Sequence, residues 1–301
     1  MAGAFPFCIF YAETNGWRGY IWETMRIDKM ACFSYTVTVK RELCVAVWRM
    51  PMIKKWNIKI PPLSGEMERR AYIYLPDDWQ TSGKRYPVLY MFDGHNVFYD
   101  ADATYGKSWG MGEFLDRTGK DLIVVAVECN HKDNKRLEEY SPVDFEFPEL
   151  GVVPGKGRIY MDWMVGTLKP YIDAHYPTLP DRENTSLAGS SMGGLMALYG
   201  VCDYNHVFRK AACISPSFWM SKDKVLDIVT KADIATDSAV YIDYGSLELP
   251  NHAPSSEALI SVARLLLTRR VNVVLKIVPG GVHNESSWEN QIPAFMAHLG
   301  L

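Results

Sequence analysis

The sequence predicts an α/β fold, a mainly parallel central sheet with helices on both faces. Three observations carry this. Short apolar runs alternate with amphipathic helical stretches from residue 54 onward. Two of those runs, Val88-Leu89-Tyr90-Met91-Phe92 and Ile123-Val124-Val125-Ala126-Val127, are apolar throughout, as strands covered on both faces should be. A Gly-x-Ser-x-Gly segment also lies between a strand pattern and a helix pattern.

In chain order, residues 1–51 are poorly patterned and rich in Trp, Cys and Met, with a weak strand-like alternation at Ser34–Val39. They read as an N-terminal extension, with Met52 as the natural start and residues 52–301 as the folded domain. Lys54–Ile60 alternates like a strand until Pro61 and Pro62 break it. Further strands are expected at Arg70–Leu75, Pro87–Phe92, Leu122–Val127, Thr185–Ala188, Lys210–Ile214, Val240–Tyr244 and Val271–Val278. Met161, Met164, Leu168, Tyr171 and Ile172 form one helical stripe. Leu259, Val262, Ala263, Leu266 and Leu267 form another, with Ser255 and Ser256 as N-cap candidates. Ser141–Gly157, punctuated by Gly151, Pro154, Gly155 and Gly157, reads as a long loop, and Ile292–Leu299 as a C-terminal helix. Strand–helix alternation of this kind argues for a parallel sheet.

The 301 residues are 48% hydrophobic, enough for one large domain with a substantial core. A formal net charge of −3 offers no basic field to nucleic acid. The densest charge cluster, Lys132 to Glu139, reads as a solvated face. The six cysteines show no C-x-x-C spacing, and Cys129, Cys202 and Cys213 sit in or beside apolar runs. They read as small buried hydrophobes, so neither a disulfide frame nor a metal site is expected. With no basic n-region and no apolar run of membrane-spanning length, a soluble cytoplasmic protein is the default expectation.

The chemistry centres on Gly189-Ser190-Ser191-Met192-Gly193-Gly194. A serine presented on a sharp strand-to-helix turn cannot have bulky neighbours two residues away, and Gly189 and Gly193 meet that demand around Ser191. Around Ser190 the same positions are Ala188 and Met192, so Ser190 is the weaker candidate. An isolated hydroxyl is a poor nucleophile and needs an adjacent base. In the α/β-hydrolase fold the acid and then the histidine follow the serine, each on a loop after a strand. Three histidines lie beyond residue 206: His252, His283 and His298. His283 follows the last strand through Pro279-Gly280-Gly281 and is the expected base. His298 falls in the C-terminal helix, and His252 reads as an exposed neighbour of the acid loop. Glu248, three residues past Gly245, is favoured as the acid over Asp243, which lies inside its strand. It would accept the imidazole N–H and stabilise the imidazolium. The oxyanion donors are expected to be the backbone amides of Met192 and of His95, in the turn Asp93-Gly94-His95-Asn96; the His95 side chain is given no acid–base role.

Several segments in order, Tyr90 to Asn96, Arg136-Leu137-Glu138-Glu139-Tyr140-Ser141-Pro142, Leu179-Pro180-Asp181-Arg182 leading to the Ser191 motif, Ile214-Ser215-Pro216-Ser217-Phe218-Trp219 and Gly280 to Trp288, resemble the putative-esterase family. That family includes feruloyl and acetyl-xylan esterases, enterochelin esterases, S-formylglutathione hydrolases and mycolyltransferase antigens. The resemblance spans residues 54–301 and leaves 1–51 outside. It implies the same triad, Ser191, His283 and Glu248, and the same oxyanion amides, those of His95 and Met192.

The expected activity is therefore serine-esterase hydrolysis of a carboxylic ester through an acyl-enzyme, on acylated carbohydrates or siderophore-type esters, with no cofactor and no metal. Trp219 and the Ser141–Gly157 loop are expected to shape the pocket. Partners would be small-molecule or carbohydrate esters, with neither nucleic acid nor membrane. An acyltransferase with the same triad, or a non-catalytic binding module, are the alternatives.

Overall fold

A computed structural model describes residues 9–14, 17–22, 52–248 and 253–301. The chain divides into two compact units, Met1–Val47 and Trp48–Leu301. In the first, strands β1 (Ile9–Thr14) and β2 (Trp17–Trp22) pair antiparallel, with Thr14 opposite Trp17. This hairpin falls where the sequence shows no sustained period. The Ser34–Val39 alternation, Cys8, Cys32, Cys44 and His252 lie outside the described residues.

The second unit is built on eight strands: β3 (Met52–Lys59), β4 (Glu68–Leu75), β5 (Val88–Met91), β6 (Ile123–Val127), β9 (Thr185–Ser190), β10 (Lys210–Ile214), β11 (Ala239–Gly245) and β12 (Asn272–Val278). Their spatial order is β12-β11-β10-β9-β5-β6-β4-β3. The six from β12 to β6 run parallel to their neighbours, and β4 pairs antiparallel with both β6 and β3. Two further strands, β7 (Phe145–Phe147) and β8 (Gly151–Val153), form a separate small hairpin. The helices are α1 (Pro61–Ser64), α2 (Met111–Thr118), α3 (Lys135–Glu139), α4 (Gly157–Trp163), α5 (Lys169–His175), α6 (Met192–Asp203), α7 (Lys222–Lys231), α8 (Ala253–Thr268), α9 (Glu285–Glu289) and α10 (Ile292–Leu299).

The all-apolar strands behave as period-2 side-chain alternation requires. Val88 and Tyr90 of β5, and Ile123, Val125 and Val127 of β6, join one buried cluster with Met161, Met196 and Leu259 from α4, α6 and α8. Leu89 and Met91, with Val124 and Ala126, join a second cluster on the opposite face with Met111, Leu115 and Phe295 from α2 and α10. Helices therefore cover both faces of a mixed sheet, the α/β arrangement the sequence predicts.

Several local expectations change. The expected loop Ser141–Gly157 contains the β7–β8 hairpin, which turns back through Pro148 to Leu150. The helical stripe from Met161 passes through a π-helical stretch, Met164–Leu168; Tyr171 turns outward and stacks on His175, while Met161, Met164, Leu168 and Ile172 stay buried. In α8, which begins at Ala253, positions 255 and 256 fall in the first turn and not at its cap, and Leu267 is exposed. The charge cluster Lys132–Glu139 is not simply a solvated face. Glu139 is buried against Arg69 at 2.8 Å, and Arg136 reaches inward to clamp Asp93 through two bonds of 2.7 Å. A buried carboxylate needs a partner, and these distant cations supply it. Cys129, Cys202 and Cys213 are buried, as expected of small apolar side chains. Among the described residues no helix is long and apolar enough to cross a membrane.

Candidate active site

A parallel sheet gathers its chemistry at the carboxyl ends of its strands. Here the exits of β5, β9, β10, β11 and β12, neighbours in the sheet, carry His95, Ser191, Trp219, Glu248 and His283. The spatial order makes the arrangement specific: β10 separates the serine strand β9 from the acid strand β11.

Ser191 follows β9 directly and holds φ 58°, ψ −121°, a conformation that costs a non-glycine residue about 1–3 kcal/mol. Its neighbours tolerate nothing larger than hydrogen. A Cβ on Gly189 would lie 2.6 Å from the Gly193 backbone, and one on Gly193 would lie 2.9 Å from Phe92 Cβ. The turn is tied down on both sides: Ser191 N donates to Ile214 O at 2.9 Å, and Ser217 N donates to Ser191 O at 3.0 Å. Ser190, by contrast, ends β9 in ordinary strand pairing and is buried. Met192 is the first residue of α6, so its amide has no intrahelical acceptor and adds to the positive end of the helix.

The strain is shared. Of the five described non-glycine residues with positive φ, Asp93, Ser191 and Ser215 stand at the exits of β5, β9 and β10. Asp93 adopts φ 56°, a left-handed conformation that aspartate tolerates better than most residues, while Gly94 is needed for a different reason: its missing Cβ would lie 2.8 Å from the backbone of Ala126 and Val127. Asp93 is locked by Arg136 and by donating its N–H to the Tyr140 hydroxyl at 3.2 Å. His95 follows in the short helical turn Gly94–Asn96. Asn96 donates from Nδ2 to Glu285 Oε1 at 3.1 Å, joining this turn to the loop that bears His283.

Glu248 and His283 sit on adjacent loops. Leu247 N donates to Gly281 O at 3.0 Å, and Ser246 N donates to Val278 O at 2.9 Å. The imidazole Nδ1 meets Glu248 Oε2 at 2.6 Å, leaving Nε2 as the nitrogen free for proton exchange. Glu248 Oε1 accepts from Ser215 Oγ at 2.8 Å and from Gly245 N at 2.9 Å. Burial works to raise the Glu248 pKa, yet the bonds from His283 and Ser215 prevail and hold it below the usual carboxylate range. Trp288 packs edge-on against His283, with ring centroids 5.1 Å apart, and donates from Nε1 to Ser215 Oγ at 3.1 Å.

The structure thus pairs Glu248 with His283 and puts Ser191 beside Ser217, whose hydroxyl lies 3.3 Å from Ser191 Oγ. Among the described residues no hydrogen bond joins Ser191 Oγ to the imidazole. Asp243, the less favoured acid, lies inside β11, where Ser215 N donates to it at 3.2 Å. His298 is half-buried near the end of α10, its ring beside that of Tyr241. Trp219, 37% exposed, stands two residues after Ser217; Leu247 and Val282, 60% and 37% exposed, flank Glu248 and His283.

Sequence reasoning gave no role to Ser215, Ser217 or Trp288. The signal was present in Ile214-Ser215-Pro216-Ser217, a polar pair at the exit of an apolar strand. Its meaning depends on β10 lying between β9 and β11. The one cluster of potential metal ligands among the described residues is His95, Cys129 and His131.

Comparison with known proteins adds four findings. The family model described as Putative esterase matches residues 64–299. Esterase Rv1288 of Mycobacterium tuberculosis is 30% identical over 151 residues, covering 50% of this chain and 30% of that protein. The siderophore triacetylfusarinine C esterase of Aspergillus fumigatus is 24% identical over 147 residues, 48% of each chain. The chain therefore spans half or less of these two relatives. In fold, it resembles an IroE-like serine hydrolase from Shewanella oneidensis, with a TM-score of 0.64 at 17% identity, over 83% of this chain and 79% of that one.

Proposed function

The chain belongs to the putative-esterase family, and from that premise we propose that it is a serine hydrolase that cleaves carboxylic esters through Ser191, His283 and Glu248. Ser191 attacks the ester carbonyl while His283 Nε2 takes its proton, and Glu248 stabilises the resulting imidazolium. The amides of His95 and Met192 hold the oxyanion, each worth on the order of 3 kcal/mol in the transition state. His283 then returns the proton to the leaving alcohol, and water, deprotonated by the same imidazole, releases the acid from Ser191.

The observation that carries this reading is the 2.6 Å Glu248–His283 contact at the sheet end where the strained Ser191 turn emerges. The 3.3 Å Ser191–Ser217 contact supplies a resting position for the hydroxyl, from which a χ1 rotation swings it toward the imidazole. The depressed pKa of Glu248 keeps it ionised, as the role requires.

For substrate, we infer an ester with an apolar or ring-containing portion, of the siderophore or acylated-carbohydrate type. Trp219, Leu247 and Val282 present apolar surface beside the catalytic groups, and the fungal relative's name is that of a siderophore esterase. A panel of p-nitrophenyl esters, feruloyl and acetylated sugars, and trilactone siderophores, run with the native chain and Ser191→Ala, tests both parts. The native chain is expected to hydrolyse at least one class, and Ser191→Ala to lose at least about 10³-fold in kcat. Wild-type turnover by Ser191→Ala would overturn the assignment.

A further inference from the structure

Beneath the β5 exit, three side chains meet that the ester chemistry does not use. His95, Cys129 and His131 each bring one potential ligand atom to within 4.8 Å of the others. The rings of His95 and His131 meet edge to face with centroids 4.4 Å apart, and Cys129 Sγ lies 4.0 Å from His131 Nδ1.

His95 gives the strongest indication. It is only 4% exposed, and its Nε2 is engaged with Thr104 Oγ1 at 2.9 Å. Its Nδ1 is buried without a hydrogen-bond partner. A buried polar atom left unsatisfied costs about 1–3 kcal/mol, so it calls for a physical reason. Thr104 is itself oriented, donating its N–H to Asn96 Oδ1 at 3.0 Å. With Nε2 carrying the proton toward Thr104, Nδ1 presents a lone pair, the arrangement in which an outer hydrogen bond fixes a metal-binding tautomer.

We propose that His95 Nδ1, Cys129 Sγ and His131 form a three-ligand site for zinc(II). Two imidazoles and a thiolate are the donor set zinc prefers, and three protein ligands leave a fourth position for water. In a tetrahedral zinc site the donor atoms stand about 3.5 Å apart, so the cluster must contract by about 1 Å. His131 is exposed and is free to make that movement while providing the entry path. Binding is written as zinc(II) plus the Cys129 thiol giving zinc thiolate and one proton, released to solvent.

The surroundings are compatible with this step. Asp93 offers the cation a negative field, which Arg136 partly offsets. The site is independent of the esterase reading, because binding is measured without substrate.

The test is a titration of the full, reduced, chelator-treated chain with zinc chloride by calorimetry and with cobalt(II) by absorption spectroscopy. The native chain and Cys213→Ala are expected to show a thiolate-to-cobalt charge-transfer band at one equivalent. Cys129→Ala should lose the band, and His131→Ala, an exposed substitution that leaves the core intact, should weaken zinc binding at least about tenfold. No zinc binding by the native chain would overturn the proposal. So would an unchanged band in Cys129→Ala, or unchanged affinity in His131→Ala.

Discussion

Asp243 and Glu248 lie five residues apart at the exit of one strand, both are buried, and Ser215 touches both. Their ionisation nevertheless diverges. Asp243 stays within β11, where it accepts a single backbone N–H from Ser215, its Oδ2 finds no hydrogen-bond partner, and burial lifts its pKa to about 7. Glu248 has left the strand, and the bonds from His283, Ser215 and Gly245 outweigh its burial. Burial alone therefore does not decide which carboxylate can serve a histidine. The number of donors aimed at the ionised form does, and a side chain gathers donors from several loops only by standing beyond the strand end.

Kinetics and stability measurements can break or sharpen this contrast. The largest effect is expected from Glu248→Gln, which keeps the shape but removes the charge behind His283 and should lower kcat by about 10³–10⁴-fold on a p-nitrophenyl ester. An equal loss in Asp243→Asn would erase the distinction. Ser215→Ala should cost about tenfold, because it removes one donor to Glu248 and the acceptor of Trp288 Nε1. It should also move the Glu248 pKa up toward the ordinary carboxylate range near 4.3. Activity below about pH 5 should then fall more steeply than in the native chain, as a pH–rate profile would record. Trp288→Phe preserves the ring against His283 while deleting the indole N–H, and should cost a few-fold in kcat with KM unchanged.

Asp243→Asn should change activity least and stability most visibly. A group whose folded pKa lies above its unfolded value makes the folded state bind the extra proton, so stability falls as pH rises between the two values, about 4 and about 7. Asparagine is neutral throughout and escapes that loss. Its melting temperature relative to the native chain should therefore rise from pH 4 to pH 8, by on the order of 5 °C in thermal scans. A constant difference across that range would mean that Asp243 does not titrate there.

Much of this was legible beforehand because it is local. All-apolar runs announced β5 and β6, and Gly189 and Gly193 announced the turn at Ser191, since steric demands on a tight turn act over four residues. Glu248 was separable from Asp243 by counting residues past Gly245. What escaped was set by spatial order. Ser215 and Ser217 matter because β10 lies between β9 and β11, an adjacency that no spacing encodes. Arg136 and Glu139 looked solvated because their partners, Asp93 and Arg69, are 43 and 70 residues away in the chain. The β7–β8 hairpin was hidden by its prolines and glycines, and its strands of three residues are too short to show a period. The His95 side chain was read as a loop histidine without an acid–base role, because the significance of its unpartnered nitrogen depends on Cys129 and His131 beside it.

The central claim, that Ser191 is the nucleophile, is tested most directly by treating the native chain with an alkyl fluorophosphonate and mapping the adduct by peptide mass spectrometry. One phosphonyl group per chain is predicted on the peptide containing Ser191, with none on Ser191→Ala. A label on another residue, or undiminished labelling of Ser191→Ala, would contradict it.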